Sequence, residues 1–229
     1  MFAVIFEVKP KAERKDDYLA LAKILKPELE QIDGFIGNER FGSKRTEGRI
    51  LSLSTWRDEK AVIRWRTLAV HHEIQGKGRR EIFEDYHLRV GEITADTHVP
   101  EGQTLQEQHF DETGIGSSKA ATISELADEG KRPASSDLPA DLKLPAIGTS
   151  DVLDQDVFES ITSPGKLLLL VSWKDAVAAS AWQPRPPSGR ELRHRQVRII
   201  RDYGMLDRRE APQFYPPVEG GGCPYDKEP

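Results

Sequence analysis

The sequence predicts an α+β protein in which one unit of strand, helix, strand, strand, helix and strand occurs twice. The first observation is an internal repeat, because much of residues 41–86 recurs 117 positions later without a gap. All four tryptophans pair at this spacing, Trp56 with Trp173 and Trp65 with Trp182. The second observation is the length of 229 residues, which accommodates two units of about 100 residues each. The repeat also aligns Ile82, Asp85 and Tyr86 with Ile199, Asp202 and Tyr203.

The first unit begins with a predicted strand and a predicted helix. Residues 2–8 place Phe2, Val4 and Phe6 on one face and further apolar side chains on the other, so both faces of this strand should be covered. Residues 16–31 repeat Tyr18, Leu21, Leu25 and Leu29 at steps of three and four, which is typical of an amphipathic helix.

A hairpin, a second helix and a last strand complete this unit. Residues 35–41 and 49–56 should form the hairpin around a turn at Gly48. Asp58 can cap the second helix, predicted at residues 61–74, because its carboxylate can accept hydrogen bonds from free amides of the first turn. A strand follows at residues 86–93. This order of elements predicts a ferredoxin-like fold, an antiparallel sheet with two helices on one face.

The second unit is less regular than the first. We predict a first domain at residues 1–98, a linker at 99–119 with a short strand near 105–110, the second repeat at 120–215, and a disordered tail at 216–229. Prolines at 133, 139 and 145 should break the first helix of the second repeat. Its hairpin should be formed by residues 157–162 and 166–173, followed by helices at 176–182 and 191–200 and a last strand at 202–208.

Composition excludes several classes of protein. The net charge of −5 argues against a nucleic-acid binder, and the chain has no apolar run long enough to cross a membrane. The N-terminus lacks the basic start of a signal peptide, so we expect a cytoplasmic protein. The single cysteine, Cys223, can form no disulfide within the chain, and the sequence assigns it no role.

Four features of the first unit occur together. They are the apolar first strand, the Asp-Gly-Phe sequence at residues 33–35, the Trp-Arg-Asp sequence that ends the third strand, and Trp65 followed by His71. In these features the unit resembles the antibiotic biosynthesis monooxygenase (ABM) family of dimeric α+β barrels. The similarity covers nearly all of residues 1–93 and, more faintly, 120–208. In this family two ferredoxin-like units pack sheet against sheet, normally as a homodimer. The resemblance therefore implies an intramolecular barrel, present as a monomeric pseudo-dimer or as a homodimer of such chains.

The resemblance also implies a function, a cofactor-independent monooxygenase acting on a small aromatic or polycyclic metabolite in a pocket of the first repeat. In the family Trp65 would line this pocket. His72, predicted on the same helix face, or His71 could be the base, because imidazole titrates in the useful range. Arg79 or Arg80 could stabilise an oxyanion, and Tyr86 could donate a phenolic hydrogen bond. A packed core indole and a half-exposed helix end are the structural alternatives for Trp65 and the histidines.

The second repeat lacks most of these groups. Ser188, Gly189 and Gln196 occupy the positions that the 117-residue shift assigns to His71, His72 and Arg79. We therefore expect one competent pocket, in the first repeat, with no metal ion and no cofactor.

Three further interpretations stay open. A haem-degrading oxygenase is one, although residues 3–8 contain no asparagine and Gln75 stands where that branch has its axial histidine. A non-catalytic metabolite-binding or scaffold protein is another. The basic residues between Arg185 and Arg201 could bind an acidic metabolite, or they could form a solvated helix face.

Overall fold

The computed structural model describes residues 1–127, 137–149, 151–186 and 190–212. The predicted tail at 216–229 lies outside them, as do Ser188 and Gly189. The strands are β1 Phe2–Pro10, β2 Phe35–Ser43, β3 Ile50–Trp56, β4 Phe83–Asp96, β5 Ala120–Leu126, β6 Val152–Ser160, β7 Leu167–Trp173 and β8 Leu192–Gly204. The helices are α1 Lys15–Glu30, α2 Glu59–Thr67, α3 Ala69–Lys77, α4 Leu138–Asp141 and α5 Ala176–Ala181.

The strands form one closed antiparallel barrel in the order β1, β3, β2, β6, β7, β5, β8, β4. The first four strands therefore lie in the order β2, β3, β1, β4, and the last four repeat it as β6, β7, β5, β8. The two groups meet along β2 and β6, which pair only at Phe41, Gly42 and Ser43 on the β2 side. They meet again along β4 and β8, where the pairing runs from His87 opposite Gly204 to Asp96 opposite Arg195.

The barrel interior is filled by side chains from both groups of strands. Its apolar part is a single buried cluster that includes Ala3, Ile5, Phe41, Leu51, Ile123, Phe158, Leu168 and Ile199. Two buried ion pairs join it, Arg89 with Glu7 at 2.6 Å and Arg195 with Glu125. The two pairs occupy matching places in the barrel. Arg89 on β4 is the cross-strand partner of Ile5 on β1, and Arg195 on β8 is the cross-strand partner of Ile123 on β5.

The outer face of β1 packs against the helices, as its sequence predicted. Phe2 belongs to a buried cluster with Leu29 of α1 and Val62 of α2, whereas Val8 packs in a second cluster with Tyr18. The predicted cap of α2 is confirmed, since the Asp58 carboxylate accepts a hydrogen bond from the Ala61 amide at 2.8 Å. Asp175 caps α5 in the same way through the Ala178 amide at 2.8 Å.

The prediction for the last strand of the second repeat is wrong. Residues 191–200 are not helical, because β8 covers Leu192–Gly204. Arginines that suggested a solvated helix face instead pair with carboxylates of neighbouring elements, as in Arg193 with Asp96 at 2.6 Å and Arg198 with Glu92 at 2.8 Å.

The strand register also corrects the 117-residue spacing that the sequence predicted for the last strand. Val8 lies opposite Tyr86 and Leu126 opposite Leu192, so Tyr86 corresponds in position to Leu192 and not to Tyr203. The spacing of 117 residues therefore ends before the last strand, and matching Arg79 with Gln196 was wrong.

Two other elements differ from the prediction. The helix expected at residues 61–74 is broken at Leu68, which has an extended ψ of 125° and separates α2 from α3. The short strand expected near residues 105–110 does not form. That segment is held on β4 instead, because the Glu92 carboxylate accepts hydrogen bonds from the amides of Gln108 and His109 at 2.5 and 3.2 Å.

Close approach of β4 and β8 requires a glycine at position 91. A Cβ atom there would lie 2.4 Å from Val197 Cγ1 and 2.6 Å from the carbonyl oxygen of Arg198. We expect Gly91→Ala to lower the free energy of unfolding by about 1–3 kcal/mol, because the two strands must move apart. Urea denaturation measures this, with Gly37→Ala in β2 as the control, since nothing lies within 4 Å of a Cβ there. Equal losses in both variants would contradict this explanation.

Candidate functional site

A cavity of about 370 Å³ lies between the outer face of β1–β4 and the helices α1–α3. Most of its wall is apolar, with Val4, Leu21, Leu25, Val62, Ile74 and Leu88 among the lining residues. This volume lies in the range of small-molecule sites. Tyr18 of α1 and Val62 of α2 pack on the sheet beside Val8 and Phe2, and both also line the cavity.

The break at Leu68 places His71 face to face with Trp65 on the cavity wall. The two rings stack with centroids 3.9 Å apart and planes inclined by 18°. His71 Nδ1 lies 2.8 Å from the Trp65 carbonyl oxygen. A carbonyl can only accept a hydrogen bond, so this contact assigns the proton to Nδ1. The same carbonyl accepts a hydrogen bond from the Leu68 amide at 3.3 Å, so the imidazole adds a second donor where the helix is interrupted.

Gln75 fixes the other side of the His71 ring. Its amide Nε2 lies 3.0 Å from His71 Nε2, which must accept because Nδ1 carries the proton. Burial lowers the pKa of His71 to about 4, so the ring is neutral at pH 7. The Gln75 Oε1 atom is buried and has no hydrogen-bond partner among the described residues. It is therefore an acceptor that a bound molecule could use.

His72 does not belong to the cavity wall. The prediction that Trp65 and His72 share one helix face assumed a continuous helix, and the break at Leu68 removes that relation. The structure brings Trp65, His71, Arg79 and Tyr86 together along the cavity.

Tyrosines and arginines form one polar end of the cavity. Arg208 donates a hydrogen bond to the Tyr86 hydroxyl, and its guanidinium carbon lies 5.8 Å from the centre of the Tyr203 ring. Arg66 donates a hydrogen bond to the Pro212 carbonyl oxygen at 3.2 Å, and its positive charge acts to lower the pKa of Tyr203. Burial, assisted by the positive charge of Arg208, lowers the pKa of Arg79. Burial also raises the pKa of Tyr203, which stays a neutral phenol.

Comparison with known proteins identifies the family of this chain. The model of the family described as antibiotic biosynthesis monooxygenase matches residues 1–77. A curated protein of Pyricularia oryzae, named jasmonate monooxygenase ABM, is 44% identical over 223 residues, which cover 95% of this chain and 100% of the relative. The chain belongs to the antibiotic biosynthesis monooxygenase family.

Solved structures with similar folds include putative monooxygenases from two bacteria. The protein from Lactobacillus acidophilus is 6% identical with a TM-score of 0.39, and the match covers 88% of this ABM-family chain and 94% of that chain. The protein from Fusobacterium nucleatum is 9% identical with a TM-score of 0.36, and the match covers 88% of this chain and 93% of that chain.

The corresponding region of the second group of strands is packed differently in this ABM-family chain. Trp182 is 6% exposed and lies against Trp173 and His194, with ring centroids 5.8 and 5.4 Å away. Its indole nitrogen donates to the Leu142 carbonyl oxygen at 3.3 Å. Side chains therefore occupy the space next to Trp182, whereas Trp65 borders the cavity.

Several cavity residues were missed by the sequence analysis of this ABM-family chain. Arg66 lies one position after Trp65, but nothing in the local pattern directs it inward. Tyr203 and Arg208 come from β8 and the segment after it. They reach the cavity because Leu88 pairs with Tyr203, which places that tyrosine on the outer face of the sheet. A contact between two distant strands carries this information, so no local motif could have found it.

Clusters of metal-ligating side chains and membrane-spanning helices are both absent from the described part of this ABM-family chain. Among residues 1–127, 137–149, 151–186 and 190–212, no group of three or more His, Cys, Asp or Glu side chains is arranged to hold a metal ion. None of the helices described there has the length and apolar character needed to span a bilayer.

Proposed function

We propose that this ABM-family protein is a monooxygenase that oxidises a small, largely apolar molecule in the cavity beside Trp65. The observation that carries the proposal is the apolar cavity of about 370 Å³ with a neutral imidazole, a phenol and guanidinium groups at its wall. Jasmonate is the first candidate substrate, because the relative that is 44% identical is named for it.

The residues of the wall have complementary roles in this proposal. The apolar side chains exclude water, and Trp65 with His71 provides a flat surface for the substrate. His71 takes a proton on Nε2 from an acidic carbon or hydroxyl of the substrate, which requires the Gln75 amide to move away from that nitrogen. Its pKa of about 4 makes it a weak base in the empty cavity, but a bound anion beside it would raise that pKa. The Tyr86 hydroxyl donates a hydrogen bond to the oxyanion that deprotonation creates, and the positive charge of Arg79 favours formation of that anion.

Oxygenation needs no added reductant if the substrate supplies all the electrons. Deprotonation of a CH₂ group beside a carbonyl gives a carbanion that reduces O₂. The CH₂ carbon becomes a carbonyl, which holds one oxygen atom, and the other atom leaves as water with the two protons. This balance is what cofactor independence requires.

The described residues give the haem alternative less support. Both ring nitrogens of His71 are hydrogen-bonded, to the Trp65 carbonyl and to Gln75. His72 does not line the cavity. An axial bond to haem would require rearrangement of one of these side chains.

The architecture is best explained by two ferredoxin-like repeats fused in one chain, with the halves of the barrel acting as a pseudo-dimer. The identical strand order in the two halves supports this proposal. The matching helix caps at Asp58 and Asp175 support it as well. Fusion keeps the two halves at a high effective concentration and frees one of them to lose its pocket.

Oxygen consumption tests the proposed function. We expect the purified protein to consume O₂ with jasmonate and without haem, flavin or reductant. We expect His71→Ala to lower kcat by about 100-fold, because removal of a positioned base typically costs this much. His98→Ala is the matched control, since His98 is exposed on the segment after β4.

Three outcomes decide between the interpretations. Full activity of His71→Ala with loss in His72→Ala would transfer the role of base to His72. Oxygen uptake that appears only after haem is added would favour the haem enzyme. Absence of uptake with any added cofactor, although jasmonate binds, would favour a binding protein.

A further inference from the structure

The polar end of the cavity carries positive charge that no carboxylate neutralises. Arg66, Arg79 and Arg208, the arginine cluster, all line the cavity. None of them forms an ion pair with a carboxylate in the part of the chain that the structure describes. Among the lining residues in that part, Glu59 is the only carboxylate, and it lies 3.5 Å from a different guanidinium, that of Arg201.

Neutral groups hold the cluster in place. Arg208 donates a hydrogen bond to the Tyr86 hydroxyl and lies over the ring of Tyr203, while Arg66 donates to the Pro212 carbonyl oxygen. These partners orient the guanidinium groups without cancelling their charge. Like charges that are partly withdrawn from water repel one another strongly, and an anion between them would remove this cost.

We propose that the arginine cluster is a carboxylate-binding subsite, and that the substrates are apolar carboxylic acids bound in their ionised form. The inference rests on the proposed function and names the substrate class of the same cavity. Guanidinium groups suit a carboxylate because they donate paired, charge-assisted hydrogen bonds. The apolar wall of the cavity contacts the rest of the substrate. The subsite is also shared between the two halves of the chain, because Arg208 follows β8 whereas Arg66 belongs to α2.

The subsite orients the substrate as well as binding it. Tyr86 and Arg79 lie at the same end as Arg208, so a carboxylate there directs the apolar body toward Trp65 and His71. The bound negative charge also favours protonation of His71, which connects recognition to the proposed base.

Binding in the absence of oxygen tests the subsite. The full chain is titrated anaerobically with jasmonate and with its methyl ester, and calorimetry gives the Kd. We expect the acid to bind the wild type at least about tenfold more tightly than the ester, because charged hydrogen bonds are lost with the ester. Arg79→Gln and Arg208→Gln should each raise the Kd of the acid about tenfold to hundredfold and leave that of the ester nearly unchanged.

Neighbouring arginines provide matched controls. Arg80 and Arg209 are exposed and Arg209 pairs with Asp207 at 2.5 Å, so Arg80→Gln and Arg209→Gln remove the same charge without changing the cavity wall. Both should bind the acid as the wild type does. Melting curves establish whether each variant folds. If Arg208→Gln does not fold, the Kd values of Arg79→Gln decide the test.

The outcomes separate this proposal from the proposed function. Equal affinity for acid and ester, failure to bind either form, or wild-type affinity in the folded variants would overturn the subsite. Selective, arginine-dependent binding of the acid would support the subsite even if no oxygen were consumed, and that combination would refute the oxygenase alone.

Discussion

Replacing Glu125 by alanine should lower the free energy of unfolding by about 3–5 kcal/mol, because the change leaves a charge without its partner inside the barrel. Arg195, its partner, has a side chain that is 2% exposed. Burial lowers the pKa of Arg195 to about 10, which reflects how poorly the interior solvates its charge. Glu125 also forms an ion pair with Lys166 at 2.6 Å, so its removal leaves two cations without this carboxylate. Urea denaturation at pH 7 measures the loss.

The control for this prediction is an ion pair on the surface. Glu159 pairs with Lys44 at 2.7 Å, but their side chains are 39% and 52% exposed. Glu159→Ala should therefore cost less than about 1 kcal/mol. Adding Arg195→Met to Glu125→Ala should recover part of the loss, because the uncompensated charge is removed. A loss below about 1 kcal/mol in Glu125→Ala would mean that water reaches Arg195 inside the barrel.

Acid should destabilise the protein well before its carboxylates are protonated. Burial lowers the pKa of His71 and of His194 from 6.5 to about 4. Between these values the unfolded chain binds protons that the folded chain does not, so stability is fully present above pH 6.5 and falls as the pH falls toward 4. Each histidine contributes on the order of 3 kcal/mol to this loss.

His194 allows the clearer measurement, because it lies far from the candidate site. Its Nδ1 atom is 2.9 Å from Ser124 Oγ, and Asp96 opposes the shift of its pKa. Free energies of unfolding of the wild type and of His194→Leu should be compared at pH 7.5 and pH 5. The variant should lose less stability than the wild type over this interval, whereas His98→Ala should lose as much. Identical losses in the wild type and His194→Leu would show that His194 takes up its proton as easily when folded.

Local sequence signals were sufficient for the first four strands, for α1 and for the start of α2. Asp58 and Asp175 marked the starts of α2 and α5, since capping depends only on neighbours in sequence. The last strand was different. Arginines of β8 are separated by steps of two and three, and their partners Asp96 and Glu92 are remote in sequence. A charged strand that is neutralised by distant residues resembles a solvated helix when only neighbours are considered.

The candidate site was predicted in part. The family resemblance selected Trp65, His71, Arg79 and Tyr86, which all line the cavity. It could not distinguish His71 from His72, because the break at Leu68 decides which of them faces the cavity. No glycine or proline near Leu68 predicts this break from the sequence. The interaction between His71 and the Trp65 carbonyl stabilises that break, and such a contact is visible only in three dimensions.

The path of β8 has a consequence for how members of this family diverge. The strand is bonded to β5 on one side and β4 on the other, and the segment after it brings Arg208 to Tyr86. Selection for a new metabolite can therefore act on the codons of β8 and of the segment after it while Trp65 and His71 stay unchanged. Paralogues that share every residue of α2 and α3 can therefore differ in the metabolite that they bind.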